Sequence, residues 1–277
     1  MVSLRNKAIK LKDRLIYNIK RPEMRVLPGQ LAFFFFITLI PLLTLLASLI
    51  SKLNLPYSSI SDLLNEYFPN GTANLLEVIT SNANINFNIV LFYVSALVLA
   101  SNGTHSIIIA SNQIYKIQDS GYLKRRVKAF LLMIVVFLLL LFILVVPVLG
   151  DMIMNFIQQV TIKNTLAFAY KILKYPLSFT FIYYLIKTIY ITAPDKEIKR
   201  NNATYGALFT SISWIVLTQV YSVYVENFTN YTTFYGSIAS ILILMLWLYF
   251  LAYLFVLGMA LNVTKYEIES NVKNLDV

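Results

Sequence analysis

The chain has 277 residues, 58% of them hydrophobic and only 13% charged, where a soluble domain carries about 25% charged residues. With a mean hydropathy of +0.69, it holds more apolar surface than a soluble globule of this length can bury, so most of it must face lipid. Cysteine is absent and His105 is the only histidine, which excludes a disulfide framework, a thiolate nucleophile and a cysteine metal site.

Residues 1–30 form a basic segment containing KAIKLKDRLIYNIKR. Ile9, Leu15, Ile16 and Ile19 fall near one helical face there, which predicts an amphipathic helix at the membrane interface. Anionic lipid would hold it with about 1 kcal/mol per basic residue. A helix crossing the hydrocarbon core needs about 20 mostly apolar residues, and the first such run is 31–50, with Pro41 as a candidate kink. It follows mostly polar residues and lacks a small-residue cleavage site, so it reads as a retained span. In the 51–86 connection, SSISDLLNEYF predicts a short interface helix capped by Ser59 or Ser61.

The second span, 87–110, leads into SNGTHSIIIASNQIY. Asn102 and His105 are three apart and Ser101 and His105 four apart, so they can share a helix face. Interhelical hydrogen bonding is the simpler expectation for these groups, and protonation of His105 during transport is the competing one. The third span is 129–149 and the fourth 166–192, with Lys171 and Lys174 near its outer end. Snorkelling toward head groups accounts for both lysines, and an anionic ligand is the alternative. The fifth span is 203–225. The sixth is 238–262, entered through Tyr235 and Gly236 and carrying Trp247 too deep for an interfacial anchor, with residues 263–277 as a tail. Tyr205-Gly206-Ala207 and Tyr235-Gly236-Ser237 echo each other, which is too short to establish an inverted repeat.

Lysine and arginine counts in the successive non-membrane segments are 8, 1, 5, 1, 3, 0 and 2. This alternation predicts an all-α integral membrane protein, six helices in one bundle with both termini in the cytoplasm of a bacterial cell. No His/Asp/Glu cluster, phosphate-binding glycine loop or nucleophile elbow is legible. No cofactor, metal or catalytic residue is therefore expected.

Several stretches, in this order and spacing, resemble the YihY/BrkB family of bacterial inner-membrane proteins, formerly mislabelled ribonuclease BN. They are LAFFFFITLIPLL, SNQIYKIQDSGYLKRRVKAFLL, TAPDKEIKRNNATYGALFTSISW and NFTNYTTFYGSIASILILMLWLYFLAYLFVLGMALN. The family pattern falls on Pro41, Asn112, Tyr115, Pro194, Gly206, Tyr235, Gly236, Trp247, Tyr249, Gly258 and Asn262. Where the family often has Gly-Ala-Glu-Leu-Asn, this chain reads Gly258-Met259-Ala260-Leu261-Asn262, so a mechanism needing that carboxylate is not expected here. The resemblance implies a six-helix membrane protein linked to envelope integrity or amphiphile transport.

Three functions are ranked on this basis. A transporter or flippase-like exporter of a lipid or amphiphile comes first, and a non-transporting envelope scaffold second. A membrane-bound ribonuclease comes last, because the basic residues are explained by topology and not by a nucleic-acid surface. Membrane lipids are the expected partners, nucleic acid is not, and the oligomeric state is left open.

Overall fold

The computed structural model describes residues 12–52, 89–138, 163–196, 198–227 and 237–273. Among these residues all regular structure is helical: α1 over 12–19, α2 Glu23–Lys52, α3 Ile89–Tyr115, α4 over 122–138, α5 Lys163–Thr192, α6 Thr204–Asn227 and α7 Ser237–Lys273. Over the described residues each apolar run overlaps a helix from α2 to α7, with residues 87–88 of the second run and 139–149 of the third outside the described residues. Three stretches, Val94–Tyr115, Thr204–Val225 and Ile241–Ile268, are long and apolar enough to cross a membrane among the described residues.

The helices are longer than the apolar runs. α2 begins at Glu23 and not at 31, and α7 continues through the expected tail to Lys273. At 1.5 Å per residue, the 37 residues of α7 extend about 55 Å, well beyond the roughly 30 Å hydrocarbon core. α7 packs against α2, α3 and α6, while α2 pairs with α3 and α5 with α6. Leu27, Leu31, Ile108, Ile186, Phe255, Val256 and Met259 form the main apolar core where these helices meet. The outward residues of α6 and α7, among them Ile212, Val216, Val220, Leu242 and Leu246, are exposed and apolar, as a lipid-facing surface requires.

Within the basic N-terminal segment the described helix is α1. It docks on the far end of α7: buried Asn18 donates to Thr264 Oγ1 at 3.0 Å and Glu267 Oε2 at 3.1 Å, and Arg14 donates to Glu267 at 2.7 Å. Leu15 and Ile19 are half-buried, but Ile16 turns outward with Tyr17. The polar Asn18, absent from the predicted apolar face, makes the buried contact. Pro41 lies buried inside α2. The predicted 59–67 interface helix, Tyr235, Gly236 and the Lys171 and Lys174 side chains lie outside the described residues.

α3 ends on an unusual residue. Lys116 adopts φ 55°, Ile117 N–H donates to Asn112 O at 2.9 Å and Lys116 N–H to Gln113 O at 3.3 Å. This is a Schellman cap, whose left-handed position glycine usually fills at no steric cost. Lys116→Gly is therefore expected to stabilise the fold by about 0.5–1 kcal/mol, despite losing the ammonium placed 5.8 Å over the Tyr17 ring. A higher thermal midpoint in detergent checks this.

Candidate functional site at the basic end of the bundle

The segments predicted to be basic meet at one end of the bundle. Arg21 reaches back from the α1–α2 junction and donates to Ile114 O at 3.0 Å and Gln113 O at 3.1 Å. α3 has no basic residue in its own last turn, so Arg21 supplies the positive charge that terminal helix carbonyls favour. Lys128 of α4 does the same beyond the end of α5, donating to Ala193 O at 2.9 Å and Pro194 O at 2.7 Å. α5 likewise lacks a basic residue in its last turn.

Asn112 and Asp195 form the centre of this end. The Asn112 amide donates to Asp119 Oδ1 at 2.9 Å and Asp195 Oδ2 at 2.8 Å, and its carbonyl accepts the Asp195 N–H at 2.9 Å. Ser120 gives Asp195 two more donors, N–H at 3.1 Å and hydroxyl at 2.8 Å, and Lys128 approaches the other carboxylate oxygen at 2.9 Å. Arg125 pairs with Asp119. Burial by itself would push the Asp195 carboxyl up, but hydrogen bonds from Lys128, Ser120 and Asn112 outweigh it and hold the group well below the usual carboxylate range. Asp119 is also lowered, first by the Asn112 hydrogen bond and then, against burial, by Arg125. These carboxylates are fixed anions near neutral pH, suited to holding α3, α4 and the α5–α6 connection together. They are poorly suited to exchanging protons there.

A second cluster joins α5, α6 and α7. Gly206 N–H, one of the free donors in the first turn of α6, donates to Asn262 Oδ1 at 2.8 Å. Tyr190 of α5 donates to Phe255 O at 2.7 Å and shares a hydrogen bond with Thr210 at 2.8 Å. Gly206 and Gly258 let α6 and α7 approach until a side chain on either would strike the other helix. Further along the same seam Trp214 Nε1 donates to Leu251 O at 2.9 Å, and buried Trp247 packs with Tyr221, Leu244, Leu248 and Leu251. Trp247 is thus a packing residue of α7. Tyr249 is exposed on its outer side. Ala260, at the position where the family often carries glutamate, is 1% exposed.

The second-span candidates divide. Ser101 is buried and donates to Val98 O at 2.7 Å, and Thr104 donates across to Ala129 O at 2.7 Å. Asn102 and His105 lie instead on the outer stripe of α3, where Asn102 Oδ1 accepts from Arg126 at 2.8 Å and His105 meets the Tyr122 ring edge-on at 6.1 Å. Tyr115 packs against Tyr266 at 6.5 Å, and Lys196 lies 5.4 Å over that second ring.

Sequence reasoning passed over Asp119, Ser120, Arg126, Lys128 and Asp195. The basic residues among them were accounted for by topology, and the two aspartates belong to carboxylates too scattered along the sequence to suggest a cluster. The available signal was an acid beside each basic loop, in IQDSG and TAPDKE.

Among the described residues no group of three or more His, Cys, Asp or Glu side chains is placed to hold a metal. The chain is similar to a putative ribonuclease-like protein, YfkH, of Bacillus subtilis, with 29% identity over 239 residues that cover 84% of this chain and 87% of the relative. It is also similar to a UPF0761 membrane protein of Vibrio parahaemolyticus, 23% identical over 273 residues that cover 95% of this chain and 84% of the relative. A UPF0761 membrane protein of Haemophilus influenzae matches over a shorter stretch, 31% identical over 70 residues and 25% of this chain. No solved structure matches the chain. The family model described as virulence factor BrkB matches residues 15–275, from α1 to beyond the end of α7, and the chain belongs to this family of membrane proteins.

Proposed function

We propose that this protein crosses the bacterial membrane six times with its basic end in the cytoplasm, and that it is a transporter or flippase-like exporter of a lipid or other amphiphile. The orientation rests on the gathering of Arg21, Lys116, Lys128 and Lys196 at that end, where positive charge is retained on the cytoplasmic side.

One observation carries the transport reading. Along the packed helices α2 and α3, the buried polar atoms Thr38 Oγ1, Ser106 Oγ and Tyr115 Oη have no hydrogen-bond partner among the described residues. An unmet polar group costs roughly 1–3 kcal/mol, so such groups persist where water or a polar head group can reach them. Thr38 rests against the bare backbone of Gly103, which places this seam between α2 and α3. The α5–α6–α7 side is closed by the Gly206–Gly258 contact, so a path belongs on the α2–α3 side.

That closed side favours the second reading, an envelope scaffold, since a rigid three-helix unit suits holding partners as well as gating. The word ribonuclease stays with the Bacillus relative, and we assign no enzymatic activity. Lipidomic analysis of protein purified in mild detergent tests the choice. An amphiphile enriched well above its share of the membrane is expected. A lipid profile matching the bulk membrane, together with a stoichiometric protein partner, would favour the scaffold.

A further inference from the structure

Arg14, Arg21 and Arg125 each meet a carboxylate. Arg126, among the described residues, meets none. Its Nη1 donates to Asn102 Oδ1 at 2.8 Å and its Nη2 to Val98 O at 3.2 Å, both neutral acceptors. A guanidinium offers five donors in a planar fork, so among the described residues part of that fork is uncommitted.

The position of this charge is unusual. Asn102 lies 13 residues before Tyr115 at the end of α3, about 20 Å back along the helix axis from the end that Arg21 caps. Tyr122, Leu123 and Val127 beside it on α4 are 63%, 78% and 62% exposed, a face suited to acyl chains. Next to it on α3, His105 is half-buried and its Nε2 has no hydrogen-bond partner among the described residues. An ionisable side chain among lipid-facing residues is costly unless paired, and basic pockets between membrane helices are suited to anionic head groups.

We propose that Arg126, Asn102 and His105 form a head-group site for an anionic phospholipid at the α3–α4 seam. The phosphodiester lies against the guanidinium fork and the imidazole, and the acyl chains run along Leu123 and Val127. The apolar flank selects an amphiphile over a free anion, and the unneutralised guanidinium favours a head group of net negative charge over a zwitterionic one, whose own ammonium it repels. This inference goes beyond the transport reading, since it concerns binding alone and would stand if no lipid were moved.

Native mass spectrometry of the full chain, titrated with phosphatidylglycerol or phosphatidylcholine, tests it. The wild type is expected to prefer phosphatidylglycerol by about tenfold, and Arg126→Gln to bring the two lipids within about twofold. Exposed Lys124 serves as the control, and Lys124→Gln should keep the preference. Should Arg126→Gln not yield monodisperse protein, Arg126→Lys and His105→Phe are each expected to weaken phosphatidylglycerol binding by about threefold, because the first loses the planar fork and the second loses the imidazole donor. An undiminished preference in the Arg126 variants, or an equal loss in Lys124→Gln, would overturn the site. Displacement of phosphatidylglycerol by inorganic phosphate would overturn its assignment to a lipid.

Discussion

Gly206→Ala is expected to destabilise the protein by about 3 kcal/mol, at the upper end of what one added carbon does in a packed core. The new Cβ would land on the carbonyl oxygen of Gly258, with both polar atoms of the Asn262 amide at 2.5 Å. A backbone carbonyl inside a helix cannot rotate away, so α6 and α7 would have to separate and the Gly206 N–H bond to Asn262 would go with them. Gly258→Ala should act in the same direction, striking Thr210 and Tyr190, whose hydroxyls tie α5 to this seam. Gly29 in α2 provides the control, because nothing lies within 4 Å of an added Cβ there. Gly29→Ala should gain up to about 1 kcal/mol from helix propensity. The two tryptophans of the chain, Trp214 and Trp247, both lie along the α6–α7 seam, so thermal unfolding followed by tryptophan emission reads the change directly. Equal midpoints for Gly206→Ala and wild type would contradict the close helix contact.

Asp195→Ala has the second large expected effect, a loss of about 3 kcal/mol. It strips Lys128 of its counter-charge and leaves the Ser120 and Asn112 donors unmet, in a place where the Asp195 side chain is 7% exposed. Asp195→Asn keeps the shape and removes the charge, so it should fall between wild type and Asp195→Ala. The pH dependence has a definite sign. Because the folded carboxyl is held below its ordinary value of about 3.9, its contribution is fully present above that pH and is lost as pH falls through the lower folded value. Thermal midpoints should be insensitive to Asp195 ionisation between about pH 5 and 8. Below about pH 4 the wild type should lose more stability than Asp195→Asn. Parallel acid curves for the two proteins would contradict the arrangement.

Over the described residues hydropathy located the long helices, because contact with lipid is written into their outward residues. It misjudged where they stop. α2 from Glu23 and α7 to Lys273 extend past the apolar runs, because their polar ends are held by Arg21, Asn18 and Glu267, contacts that bridge up to 249 positions of sequence. The pairing of Asn112 with Asp195 was illegible for the same reason: the two are 83 residues apart, and the acid beside each basic loop does not name its partner. Gly206, Gly258 and Asn262 were singled out through family resemblance, yet their physical role needed the crossing of α6 over α7. His105 was read as a hydrogen-bonding group within the bundle, and its position beside Arg126 on the outer stripe came only with the placement of α4.

The transport reading meets its most direct test in proteoliposomes. Purified protein is reconstituted with a fluorescent phospholipid, and the fraction reached by an impermeant quencher is followed in time. Movement faster than in protein-free vesicles is expected, and Thr38→Val with Ser106→Ala should slow it while changing stability by less than about 1 kcal/mol, as two hydroxyls without partners among the described residues give up no hydrogen bond there. A rate equal to that of empty vesicles across charged, zwitterionic and single-chain amphiphiles would contradict the account.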